Sequence, residues 1–163
     1  MSQVQSKIWA AALLIAAGSG SAFGQEVITQ KVLSLDLAQM IARAAVDKCR
    51  ENGYHSTVTV VDTAGLVKVT LRDDGTSPQT MEVSRRKAYT AMIYRRKSGE
   101  TLKTYRANPP WPGVEGTIAL GGGVPIFAGK DIVGGIGVSG APGADKEEAC
   151  GDAGVAKAAE FLK

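Results

Sequence analysis

GGGVPIFAGKDIVGGIGVSGAPGADKEEA, residues Gly121–Ala149, is the stretch on which the reading of the fold turns. Nine of these 29 residues are glycine, and valine and isoleucine supply most of the remaining apolar content. β-Branched residues suit strands. Glycine inside a strand is costly, because it orders a flexible backbone and brings no side chain to pack. A strand holding Gly134, Gly135 and Gly137 therefore has something very close to its backbone: a ligand, a partner chain or a crossing helix. Turns account for Gly129 and Gly143 but not for those three. A phosphate loop would need Gly-Lys-Ser/Thr opening a helix, whereas Gly121-Gly122-Gly123 leads into Val124-Pro125 and a strand. Nucleotide binding is a poor reading in that context. Gly121, Gly122, Gly123 and Gly135 become candidates for the floor of a ligand surface.

Working outward, Val124–Ala128, a Gly129-Lys130 turn and Ile132–Ser139 read as a hairpin. Asp145 with Glu148 has the spacing of a capping box for a last helix reaching Leu162. Upstream, Ser34 can cap a helix from Leu35 to about Asn52. Leu35, Ala38, Ala42, Ala45, Val46 and Cys49 recur on one face of it, and Gly53 stops it. Thr57–Asp62 and Leu66–Arg72 form a second hairpin across Thr63-Ala64-Gly65. Ser77-Pro78 opens a helix from Gln79 to about Lys97, with serine as cap, and a short helix runs on to Arg106. Asn108–Gly113, NPPWPG, is neither helix nor central strand. Strands joined by tight turns pair antiparallel. The expected fold is α+β: an α/β sandwich with an antiparallel sheet of about five strands packed with helices.

Residues 1–24 stand apart. Lys7 is their one charge, Ile8–Ala17 is apolar, and Ala22-Phe23-Gly24 has the small-x-small form of a cleavage point. This is the pattern of a secretory signal peptide, and ten apolar residues are too few to span a bilayer. A single mature domain, residues 25–163, and a periplasmic or secreted address follow. Of 19 basic residues 18 remain against 16 acidic ones. A charge near +2 excludes the basic stripe that nucleic-acid binding needs.

The chemistry-bearing residues are few. Cys49 and Cys150 can join as a disulfide in an exported chain if their helices bring them within about 7 Å. The other reading is two small buried thiols. No CxxC occurs, and one histidine cannot supply a metal-ligand set. Arg85-Arg86-Lys87 and Arg95-Arg96-Lys97, eleven residues apart, would superpose as a cationic stripe on one helix. Arg86 and Lys87 lie nearest its inward positions and are candidates to meet a ligand's anionic groups. His55, the sole histidine, sits between the first helix and first strand and is the candidate iron ligand, the other reading being a structural edge histidine. Tyr54, Tyr89, Tyr94, Met81 and Met92 are lesser candidates. Asp62, Asp73, Asp74 and Glu115 are carboxylates in or near loops, with no spacing that assembles a catalytic set.

LSLDLAQMIARAAVDKC (Leu33–Cys49), TVTVVDTAGLVKVTLRDDG (Thr57–Gly75), SRRKAYTAM (Ser84–Met92) and GGGVPIFAGKDIVGGIGVSGAPGADKEEAC (Gly121–Cys150) together resemble the GlcG/HbpS family. This haem-degrading domain family includes the C-terminal domain of PduO-type proteins. The likeness runs from Val32 to Leu162. It implies a profilin-like fold, a homo-oligomer reaching eight subunits, and haem as cofactor, with haem degradation and iron handling or redox sensing in some members. It maps no iron ligand onto this chain, so His55 stands on being the one histidine. The resulting expectation is an exported, oligomeric haem-binding protein, its haem on the glycine surface and its propionates on Arg86 or Lys87. The rival is an isomerase or lyase acting on a small organic anion held by Arg72, Asp74 and Lys87.

Overall fold

The computed structural model describes residues 27–108 and 113–163. Residues 1–24, and most of the NPPWPG segment, lie outside them. Helix α1, Leu35–Glu51, starts where the Ser34 hydroxyl accepts the Leu37 amide at 3.2 Å. Asp36 in its first turn and Lys48 and Arg50 in its last complement the helix dipole. Ala38, Ile41, Ala42, Ala45, Val46 and Cys49 form its buried face. Strands β1 (Thr57–Asp62) and β2 (Val67–Arg72) follow. Helices α2 (Gln79–Tyr94) and α3 (Ser98–Ala107), strands β3 (Gly123–Ala128) and β4 (Asp131–Ser139), helix α4 (Ala144–Lys157) and a single turn at Ala159–Phe161 complete the chain.

The strands form one antiparallel sheet in the order β2-β1-β4-β3, with Val60 opposite Ile136 and Val124 opposite Ile136 across β4. The described residues hold four strands rather than about five. The apolar segment before Gly121 does not pair with a strand. Its Ile118 amide is taken by the Thr90 hydroxyl at 2.9 Å, and its Thr117 carbonyl by Arg86, both on α2.

Helices α1 and α4 cover one face of the sheet. There Val58, Val60, Val124, Ile126, Ile136 and Val138 close on the buried face of α1. A disulfide between Cys49 and Cys150, Cα atoms 5.4 Å apart, ties these helices together. Cys150 lies in the middle of α4. Helix α2 covers the other face, held by Thr57 bonded to Thr80 at 2.6 Å and Thr59 bonded to Ser84 at 2.7 Å.

Two expected helix ends move, and two expected caps are not formed. Helix α2 stops at Tyr94, because Arg95 adopts the left-handed conformation with φ of 52°. The two basic triplets therefore share no helix and form no stripe. Arg85 pairs with Glu82, Arg96 donates to Thr101 and Thr104, and Lys97 pairs with Asp152. Ser77 is not the cap of α2: Pro78 holds that position, and Ser77 contributes only its carbonyl, which accepts the Thr80 amide and hydroxyl. Asp145 and Glu148 form no capping box either. Helix α4 ends at Lys157, and Glu147 and Glu148 reach the amides of Gly140, Gly122 and Gly99.

Candidate functional site

What comes close to Gly123, Gly135 and Gly137 is α2, whereas Gly134 abuts the Val61 carbonyl of the neighbouring strand β1. A Cβ on Gly137 would strike the Ser84 carbonyl, one on Gly135 the Ala88 carbonyl, and one on Gly123 the Lys87 carbonyl. Gly122, at φ of 109°, is enclosed by Val138, Glu147 and Lys87. Gly121 is buried against Ala144. Of the three candidates for the close neighbour, the crossing helix is the one present. The surface expected at Gly121, Gly122, Gly123 and Gly135 is closed by this chain's own backbone and side chains and offers no ligand floor.

Lys87 is likewise withdrawn from ligands. Its side chain is 5 % exposed and its ammonium lies 2.6 Å from Glu147 and 3.1 Å from the Val138 carbonyl. Burial pushes the Glu147 carboxyl above its ordinary range, and the Lys87 charge only partly restores it. Arg86 turns away toward Thr117 and lines a cleft on the outer side of α2.

The opposite end of the sheet gathers a different group. Gly53, at φ of 77°, ends α1 and releases Tyr54 and His55 before β1 begins. Thr57 pairs with Arg72, and that register carries Asp73, the next residue on β2's side, to His55. The Asp73 carboxylate is 2 % exposed. Arg50, from the last turn of α1, donates through Nε to both its oxygens at 3.1 Å, and the Asp74 amide donates at 2.8 Å. Hydrogen bonding from Arg50, above all, holds the Asp73 carboxyl well below the usual carboxylate range. An ionised carboxylate only accepts. His55 Nδ1, 2.9 Å from Asp73 Oδ2, therefore donates, and in the neutral imidazole Nε2 is the nitrogen with the lone pair. The imidazole is 65 % exposed beside a recess of about 370 Å³, walled also by Tyr54, Thr76, Ser77, Gly140 and Pro142. Arg72 braces the wall by donating to the Thr76 carbonyl at 2.7 Å, and Asp74 lies exposed on the same loop.

His55, Arg72 and Asp74 are thus brought to one end of the sheet, while Arg86, Lys87 and the glycines are elsewhere. The set Arg72, Asp74 and Lys87 shares no pocket. Arg50 and Glu147 were missed as partners. Their mates lie 23 and 60 residues away, so no local spacing announces them.

Among the described residues no group of three or more His, Cys, Asp or Glu side chains could hold a bare metal ion. One oriented histidine suffices for an iron whose other ligands come from a macrocycle. The donor chemistry at His55 fits a haem, with Asp73 as the partner that fixes the imidazole.

Residues 33–156 match the family described as "Haem degrading protein HbpS-like". Protein GlcG of Escherichia coli K12 is 31% identical over 112 residues, which is 68% of this chain and 84% of that protein. The crystal structure of a double mutant of HbpS from Streptomyces reticuli superposes with a TM-score of 0.78 at 40% identity. That match covers 86% of this chain and 97% of the other. The crystal structure of a PduOC:heme complex shares the fold, with a TM-score of 0.71 at 23% identity over 78% of this chain and 95% of that one. On the family match and the identity to GlcG and HbpS together, this chain belongs to the HbpS-like family.

Proposed function

We propose that this protein binds haem in an oxidising compartment, as an exported assembly of identical subunits in the periplasm or outside the cell. The observation that carries the haem reading is the His55–Asp73 pair at the mouth of a recess. Asp73 and Arg50 orient the imidazole, and His55 Nε2 is the lone pair offered to iron. Tyr54 and Pro142 supply flat apolar wall, and Lys146, 5.5 Å from the Tyr54 ring centroid, is a cation at hand for a propionate. The haem itself would supply redox-active iron. The chain's part is to hold it and to orient one axial nitrogen. Residues 1–24 and the Cys49–Cys150 disulfide support export, because structural disulfides persist where thiols are not kept reduced. Exposed Val32, Leu35, Met40 and Phe161 near the α1 start and the chain end support self-association.

Titration of the purified protein with hemin tests this reading. A Soret shift saturating at a fixed ratio per subunit is expected. His55→Ala should change the absorption and weaken binding, and Asp73→Asn should weaken it about 10- to 100-fold while leaving the fold intact. Absence of any shift in the wild-type protein refutes haem binding. An identical spectrum and affinity in His55→Ala refutes the ligand.

A further inference from the structure

The second recess of interest lies on the outer side of α2 and shares no lining residue with the His55 recess. It measures about 520 Å³, and Arg86, Tyr105, Val114, Glu115, Ile118 and Ala119 are among the residues that line it. We propose that this cleft is a separate binding site for small aliphatic monocarboxylates, with Arg86 as the anion-binding residue.

Four observations support the assignment. First, the Arg86 guanidinium is held in place but not neutralised. It donates to the Thr117 carbonyl, and no described carboxylate lies within ion-pairing distance of it. Glu82, the acid one turn before it on α2, is engaged by Arg85. The Arg86 Nε is buried and without a hydrogen-bond partner. A partly buried cation lacking a paired counter-charge gains most from an anion that enters beside it, and the planar guanidinium matches a carboxylate.

Second, the cleft is built before any ligand arrives. Thr90, fully buried, donates to the Arg86 carbonyl at 2.7 Å and accepts the Ile118 amide at 2.9 Å. The Thr117 amide closes a turn on the Val114 carbonyl at 3.0 Å. The loop is thereby pinned to the helix turn that presents Arg86. The far wall, Tyr105, is set edge-on against Tyr94 with hydroxyls 3.1 Å apart. Third, Val114, Ile118 and Ala119 offer apolar wall for a short aliphatic tail. Fourth, Glu115 lines the same cleft. A carboxylate there repels a second negative charge on the ligand, which selects monoanions over dianions.

The test is a titration of ¹⁵N-labelled protein at constant ionic strength with acetate, propanoate, butanoate and hexanoate, and with succinate as the dianion. The arginine Nε–H signals are followed, and Arg86 is assigned by its loss in Arg86→Gln. A saturable shift of the Arg86 signal is expected. Affinity should rise with chain length, and succinate should bind more weakly than butanoate. Arg86→Gln should weaken binding at least about tenfold, the loss of one charge-assisted pair. Val114→Trp, which fills the cleft and leaves the arginine in place, should do the same and carries the test if Arg86→Gln fails to fold. His55→Ala should bind butanoate as the wild type does. Shifts that never saturate, or equal affinity in Val114→Trp, overturn the proposal. Haem propionates carry the same group, so hemin is the second arm. Hemin affinity is expected to survive in Val114→Trp. Its loss together with butanoate binding would make the cleft part of the haem site and overturn its independence.

Discussion

On the face covered by α1 and α4, the strands present Val58, Val60, Ile126, Ile136 and Val138 to a close-packed apolar layer. On the face under α2, the same strands present Gly135, Gly137, Thr57 and Thr59. The first face is stabilised by apolar side-chain burial. The second is stabilised by backbone approaching backbone, by hydroxyl pairs, by a smaller apolar cluster of Val61, Ala88 and Met92, and by one buried ion pair at its end. The lesson concerns glycine. Within a sheet it can mean that a helix, not a ligand, occupies the space. Two recesses lie instead at the sheet's end and beyond the helix, lined there by His55 and by Arg86.

Substitution can break this contrast directly. Gly137→Val would drive its side chain into the Ser84 carbonyl and Ala88 amide on α2. No soluble folded protein is expected, or a loss of about 4 kcal/mol or more in urea unfolding. A near-wild-type midpoint would mean that α2 stands off the sheet. Next in size is Lys87→Met, which leaves Glu147 buried without its partner and should cost about 3–5 kcal/mol. Lys87→Met with Glu147→Leu should recover most of that loss, so a double-mutant cycle separates the pair from its surroundings. On the opposite face, replacing Cys49 and Cys150 by serine removes the α1–α4 tie and should cost about 2–5 kcal/mol, read as a lower unfolding midpoint. The smallest effect sharpens the comparison. Ile136→Val, one strand position from Gly137, should cost only about 0.5–1.5 kcal/mol by the same measurement. The α1–α4 face then tolerates the loss of a methylene group, whereas the α2 face tolerates no added side chain.

Legibility in the sequence followed the range of the interaction. Helix α1 could be read from Ser34, its inward stripe and Gly53, because each signal acts within one or two turns. Both hairpins could be read from their turns. The end of α2 could not. Arg95 takes a left-handed conformation that glycine usually occupies, and the sequence offers no breaker before Gly99. The imagined cationic stripe came from that single residue. The sheet of about five strands came out as four among the described residues, and the backbone of Thr117 and Ile118 is bonded to Arg86 and Thr90 of α2 instead. His55 was conspicuous as the one histidine. Its value as a ligand depends on Asp73 and Arg50, and these reach it through the β1–β2 register and the end of α1.

The residues alone were sufficient for the element types, the antiparallel pairing, the family likeness and the inference that something must press on the glycine strands. Those follow from local backbone preference and from side-chain period. Which element presses there, and which cations are left without a counter-charge, was decided only by tertiary packing. Contacts such as Gly137 with Ser84 or Lys87 with Glu147 join residues about fifty or more positions apart. No local rule of the chain specifies which of several possible neighbours arrives first at such a distance.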